Sequence, residues 1–260
     1  MVRTQTGSLV YYQFESLLQP DLTHGVFTRH GGLSPDPWRS LNLGGTVGDD
    51  SDKVAENHRR LFFALDRPLT SVFDVWQVHS ADVVVADGPR NNRPHTKGDI
   101  ILTDDPKVTL LMRFADCVPI LLYDPRRRAI GIAHAGWLGT VRRAAVFAVQ
   151  AMVQTFQSDP ADVLAGLGPS IGPDHYEVGA DVIEQLEASI GREAYRHIVH
   201  RDGKTYLDLW SANQALLQGQ GVVHIETARI CTACRVDDWY SHRREGGKTG
   251  RFGAAIALSE

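Results

Sequence analysis

Apolar runs of about strand length dominate the first half of the chain. They cover residues 72–78, 83–86, 100–103, 108–114, 118–123 and 129–133, with a shorter one at 9–12. Several are rich in β-branched residues and bounded by Gly, Pro, Asp or Asn, the punctuation expected of strands. Asp124-Pro125 followed by Arg126, Arg127 and Arg128 predicts a basic hairpin turn between the last two runs. After Gly139 the pattern changes. Residues 140–156 are rich in Ala and Val with no Pro before Pro160, which predicts a long helix. The second half mixes the classes, with strands expected at 163–167, 222–225 and 254–258 and helices at 181–189 and 209–218. Strands gather early and helices late, so a layered α/β or α+β fold is expected rather than a regular doubly wound one. No repeat, low-complexity tract or linker divides the chain, and residues 1–260 are read as one domain.

Composition narrows the function classes. A net charge of −4, with no basic run interleaved with aromatics, argues against a nucleic-acid partner. Residues 1–14 have neither the apolar core nor the small-residue cleavage site of a signal peptide. No stretch approaches the roughly 20 apolar residues that span a bilayer. Three cysteines are too few, and odd in number, for a disulfide scaffold, which points to a reducing cytoplasm. A monomer is expected.

Candidate chemistry centres on His79, Cys117 and His134, each at or near the end of an apolar run. Two imidazoles and a thiolate are three good zinc ligands, one short of a closed structural site, and an open position is what makes a zinc catalytic. Their spacing fits no local finger pattern. Without a metal, Cys117 and His134 form the minimum pair for nucleophilic acyl transfer. Such a dyad needs no second imidazole, so His79 favours the metal. Asp116 and Asp99 are read as carboxylates that orient the imidazoles or accept substrate protons, or else as turn formers at strand ends. Arg29, Arg243, Arg244 and Arg251 offer guanidinium forks for phosphate or carboxylate, with solvated surface charge as the plain alternative. Asn42 is read either as a contact to a sugar or base edge or as the cap of a local turn.

Other motifs are weaker. Gly246-Gly247-Lys248-Thr249 lacks the leading Gly of a P-loop, because His242 stands there. The 166–172 segment, Gly166 to Gly172, has the wrong spacing for a dinucleotide fingerprint, though its amides invite comparison with an anion-binding nest. His197 and His200 lie three apart on an expected helix. Cys231-Thr232-Ala233-Cys234 is half a zinc site or a redox pair with no second Cys pair to complete it.

Motifs in order along nearly the whole chain resemble the YfiH family, also called laccase-domain-containing or polyphenol oxidase family proteins. They include Thr28-Arg29-His30-Gly31-Gly32-Leu33-Ser34, Ser40-Leu41-Asn42-Leu43-Gly44 and Gln77-Val78-His79. Further on come Ala115-Asp116-Cys117-Val118-Pro119, His134-Ala135-Gly136-Trp137, Tyr176-Glu177-Val178-Gly179, Leu207-Asp208-Leu209 and Thr249-Gly250-Arg251. Cys231 matches the family's Cys-Thr, while Cys234 is an extra of this sequence and His242 stands where the family has Tyr.

The resemblance implies a four-layer α/β/β/α sandwich similar to cysteine hydrolases related to the cytotoxic necrotizing factor toxins. It implies Zn2+ held by His79, Cys117 and His134, with Cys117, His134 and Asp116 as catalytic residues. It further implies Arg29, Asn42, Asp99 and Arg243 as substrate contacts. The implied activity is phosphorolysis of adenosine, inosine, guanosine and methylthioadenosine with inorganic phosphate, together with hydrolytic deamination of adenosine. Two rivals stand beside it: a Cys-His amide hydrolase that edits peptidoglycan precursors, and a metal-dependent binding protein without turnover. The His-x-Glu and Pro-Cys-x-x-Cys signatures of cytidine-type deaminases are absent. The eleven histidines include no pair separated by one residue, which disfavours a multicopper oxidase.

Overall fold

The computed structural model describes residues 1–259. Along the first half come β1 (Val2–Thr6), β2 (Leu9–Gln13), β3 (Leu22–Phe27), α1 (Ser51–Ala64), β4 (Val72–Phe73), β5 (Val83–Val85), β6 (Ile100–Thr103), β7 (Thr109–Phe114), β8 (Val118–Asp124) and β9 (Ala129–Ala135). The second half carries α2 (Trp137–Val141), α3 (Ala144–Phe156), β10 (Leu164–Leu167), α4 (Ala180–Ile190), β11 (Ile198–Arg201), β12 (Lys204–Leu207), α5 (Leu209–Gln218), β13 (His224–Thr227) and β14 (Phe252–Leu258). The fold is mixed α/β. One six-stranded sheet runs β1-β2-β3-β14-β7-β4 and a second runs β13-β10-β8-β9-β6-β5, while β11 and β12 pair by themselves.

The near-continuous apolar runs are strands buried on both faces. Leu121, Tyr123, Ile130 and Ile132 of the second sheet pack against Leu110, Met112, Phe114 and Phe252 of the first, so the two sheets share a core. The alternate residues Ile120, Leu122 and Ala133 turn the other way and meet Ala148, Val149 and Leu217 of α3 and α5. On the far side of the first sheet, Leu61 and Phe62 of α1 cover Tyr11, Phe27 and Leu111. The expected hairpin joins β8 and β9 in antiparallel register, and the Asp124 carboxylate accepts the amides of Arg126 and Arg127 at its turn.

Several expectations are corrected. The 72–78 strand stops at Phe73, because the Gln77 side chain then takes the place of a strand neighbour: it donates to the Arg113 carbonyl and accepts the Arg113 amide. The 140–156 helix is broken into α2 and α3 at Arg143, whose φ of 60° is left-handed. His197 and His200 share no helix. His197 ends a 3-10 turn against Ser211, and His200 lies on β11. Strands β1 and β3, helix α1 and the β11–β12 hairpin went unanticipated.

Besides the β6 to β7 passage, three segments pass from one sheet to the other: β4 to β5, β7 to β8, and β13 to β14. These crossings carry His79, Cys117 and Arg243 respectively, and they converge on one cavity. No described helix is long and apolar enough to cross a membrane.

Candidate functional site

The cavity has a volume of about 650 Å³ and is lined by His79, Cys117 and His134 together with Asp116, Tyr176, Arg113, Arg243 and Arg251. That size suits a small-molecule ligand. One donor atom each from His79, Cys117 and His134 lie within 4.8 Å of one another, so all three expected ligands meet.

Local structure explains how they meet. His134 projects from the end of β9, where its ring packs 5.3 Å from Phe114 and 4.9 Å from the His79 ring. Cys117 begins the second sheet just after the β7 crossing, and Asp116 before it has a left-handed φ of 84°. His79 likewise has a φ of 59°. Two neighbouring left-handed non-glycine residues are backbone conformations that cost energy and tend to gather at functional sites. Gly136 supplies the clearance: a Cβ there would lie 2.6 Å from the Cys117 sulfur.

Asp99, fully buried, orients both imidazoles. Its Oδ1 lies 2.8 Å from His134 Nδ1, which leaves the other ring nitrogen to face the cluster. Its Oδ2 accepts the amides of Val78 and Ser80, the residues flanking His79. Burial pushes the Asp99 carboxyl up, but His134, Ser80 and Val78 outweigh it and hold the group at about 2. Burial also opposes charge on Cys117 and His134. Their mutual attraction prevails, lowering the thiol toward thiolate and, with Asp99, raising the imidazole. A soft thiolate, two imidazoles and an oriented carboxylate–histidine pair fit a zinc ion by donor chemistry. His79 approaches Cys117 as closely as a metal site needs, which a simple Cys-His dyad would not require.

The remaining expected residues divide. Arg243 lines the cavity: its guanidinium lies 5.1 Å from the Tyr176 ring centre and donates to the Glu177 carbonyl. Asp116 brackets it, accepting the Arg243 amide at Oδ2 and the Thr232 hydroxyl at Oδ1. Arg29 lies outside the lining. It donates to the carbonyls of Arg39 and Val236 and to Glu245, and covers the Tyr240 ring. Asn42 is wholly buried and holds Gly44, Asp49 and Arg251, so it shapes the cavity wall without reaching the cavity. Asp99 stands behind His134 and has no face on the cavity. The 166–172 segment forms no nest: the amides of Gly168, Ser170 and Ile171 go to Pro119, Ile230 and Asp116.

Arg113, His95 and Tyr176 escaped the sequence reading. Buried Asp74 pairs with Arg113 and Arg90 and lies 3.1 Å from His95, and despite its burial these partners hold it at about 2. Charge balance inside a cleft leaves no local spacing signal. The one available hint was Arg113, a cation ending an otherwise apolar run.

This fold and donor set define a member of a known family. Residues 23–259 match the model described as multi-copper polyphenol oxidoreductase laccase, and the chain belongs to that family. Among its relatives, a Deinococcus radiodurans protein named purine nucleoside phosphorylase is 41% identical over 235 residues, spanning 90% of this chain and 88% of the relative. Purine nucleoside phosphorylase YfiH of Escherichia coli is 34% identical, spanning 89% of this chain and 91% of its own. The crystal structure of YlmD from Geobacillus stearothermophilus superposes with a TM-score of 0.92 at 34% identity, covering 99% of both chains.

Proposed function

We propose that this chain is a zinc-dependent purine nucleoside phosphorylase that also deaminates adenosine. The reading is carried by one observation: the His79–Cys117–His134 cluster and the cationic side chains of Arg113, Arg243 and Arg251 face the same cavity. The names of its relatives support it. In phosphorolysis a phosphate oxygen bonds to the ribose C1′ as the C1′–N9 bond breaks. The electron pair leaves with the purine, which takes up a proton, and ribose 1-phosphate remains. Nucleophile and nucleoside must therefore share one pocket in a fixed orientation.

Arg243 is the strongest phosphate contact. Its guanidinium is fixed by Tyr176 and Glu177, and fixed guanidinium forks suit phosphate. Asp116 is a positioning residue, because it holds the Arg243 backbone and precedes Cys117 in the crossing. Tyr176 offers a ring face to a base or sugar. His79, Cys117 and His134 would hold the zinc, which when bound supplies Lewis acidity and the means to ionise water near neutral pH. Adenosine, inosine, guanosine and methylthioadenosine are the proposed substrates.

The test incubates the purified protein with adenosine, with and without inorganic phosphate, and scores adenine, inosine and ribose 1-phosphate. Adenine formed only with phosphate, inosine formed without it, and loss of both on chelation are expected. Activity that survives chelation but not thiol alkylation would replace this reading with a cysteine nucleophile.

A further inference from the structure

Outside the cavity, four donors from two adjacent loops gather: Asp174 and His175 from one, Cys231 and Cys234 from the other. One ligand atom from each lies within 4.8 Å of all the others. We propose that these four side chains form a second, structural zinc site that clips the two loops together.

The donor set is complete where the first is open. Two sulfurs, one imidazole nitrogen and one carboxylate oxygen make the four ligands of a closed tetrahedral site, with sulfur and nitrogen favouring zinc over harder cations. From Zn–S near 2.3 Å and Zn–N near 2.0 Å, the edges of such a tetrahedron are about 3.8 Å between sulfurs, about 3.6 Å from sulfur to nitrogen and about 3.3 Å from nitrogen to oxygen. The His175 Nδ1 lies 3.8 Å from Cys231 Sγ and 3.4 Å from Cys234 Sγ, and 3.1 Å from Asp174 Oδ2. Cys234 Sγ and Asp174 Oδ2 are closer, at 2.8 Å, and would part by about 0.7 Å to reach a sulfur–oxygen edge of about 3.5 Å.

The surroundings are built for it. The Gly172 amide donates to Cys231 Sγ at 3.2 Å, which fixes the sulfur between the two loops. A Cβ on Gly172 would meet Asp174 Oδ1 at 2.6 Å and the Cys231 Cβ at 3.2 Å, so the bare backbone lets the two loops approach. The same loops are already aligned by backbone bonds from the Ser170 amide to Ile230 and from the Thr232 amide to Ser170. Cys231 is buried, while Cys234 is exposed and Asp174 half-buried, which gives the ion access from solvent. The clip adjoins the cavity wall on both sides: His175 precedes Tyr176, and Thr232 donates to Asp116. It would therefore stiffen the wall that carries Tyr176 and Asp116 without touching substrate.

The test is a titration of metal-stripped, fully reduced protein with Zn2+ and, in parallel, with Co2+ as a spectroscopic probe. The intact chain should bind two equivalents. Cys117→Ala should keep one, with the intense ligand-field and sulfur-to-cobalt bands of a tetrahedral thiolate site. Cys234→Ala and, as a milder change, Asp174→Asn should each lose or weaken at least tenfold one equivalent while the Cys117 site still fills. Adding zinc to Cys117→Ala should raise its Tm, and this rise should vanish in the Cys117→Ala, Cys234→Ala double variant. A single equivalent in the intact chain, or no cobalt bands in folded Cys117→Ala, would overturn the proposal. So would a zinc content of Cys117→Ala that Cys234→Ala leaves unchanged.

Discussion

Asp99 Oδ1 sits 2.8 Å from His134 Nδ1, deep behind the cavity and shut off from solvent. Because the second oxygen of the same carboxylate holds the amides on either side of His79, one side chain sets the aim of two ring nitrogens.

Asp99→Asn should therefore weaken metal binding without unfolding the protein. An amide has one acceptor oxygen where the carboxylate has two, so it can serve His134 or the Val78 and Ser80 amides but not both. Loss of such an orienting partner costs about 10- to 100-fold in metal affinity. Competition with a chromophoric chelator measures the change. Unaltered affinity would mean that Asp99 merely fills space.

Gly136→Ala isolates the clearance around the Cys117 sulfur. The backbone at Gly136, φ −75° and ψ −171°, is one that alanine adopts without strain. The added methyl would instead meet Sγ at 2.6 Å. Overpacking of this kind costs about 1–3 kcal/mol. The metal content of the purified variant should fall much further than its denaturant midpoint does. Full metal occupancy would show that the sulfur moves aside freely.

Arginine substitutions separate ligand contact from scaffold. Arg243→Ala should raise KM for phosphate by about 10-fold or more, the scale of a lost charge-assisted hydrogen bond, with a smaller change for nucleoside. Arg29→Ala should lower thermal stability instead, since its donors go to Arg39, Val236 and Glu245. Steady-state kinetics at varied phosphate, beside thermal melts, distinguish the two. An unchanged phosphate KM in Arg243→Ala would move the phosphate site elsewhere.

His24 makes stability fall with acid. Burial lowers its pKa from 6.5 to about 4, and its Nε2 accepts the Phe14 amide while Nδ1 has no buried partner. The native pKa is the lower one, so between pH 6.5 and 4 the unfolded chain binds the extra proton. Stability is then full above pH 6.5 and declines as pH drops to about 4. The decline amounts to about 3 kcal/mol for a shift of this size. Urea unfolding across that range should show it, and His24→Gln should flatten the slope.

Strands buried on both faces were legible because nothing interrupts their apolar residues, as in β8 and β9. Helix α5 was anticipated at 209–218, and the structure adds Asp208 as its cap, accepting the amides of Trp210 and Ser211. Helix α1 was not: its sequence is mostly polar, and one of its few buried positions is Asn57, which holds the loop around Ser34 and Asn42. The metal donors were readable as residue types at strand ends, and the resemblance joined them. Arg29 and Asn42 stayed open between two roles in the sequence for one reason. Both are bound deep in the scaffold that shapes the cavity, and a sequence does not distinguish a residue that builds a wall from one that faces inward. Gln77 ended a strand through its side chain, which no backbone propensity anticipates.

The crossings between the sheets also bear on how the molecule assembles. Cys117 and His134 already adjoin across the β8–β9 hairpin, where Pro119 faces His134, while His79 arrives on the β4 to β5 crossing. A metal there finds two ligands in the hairpin alone and its full set only once the His79 crossing is in place. It would brake unfolding far more than it hastens refolding, acting as a late latch on a finished structure.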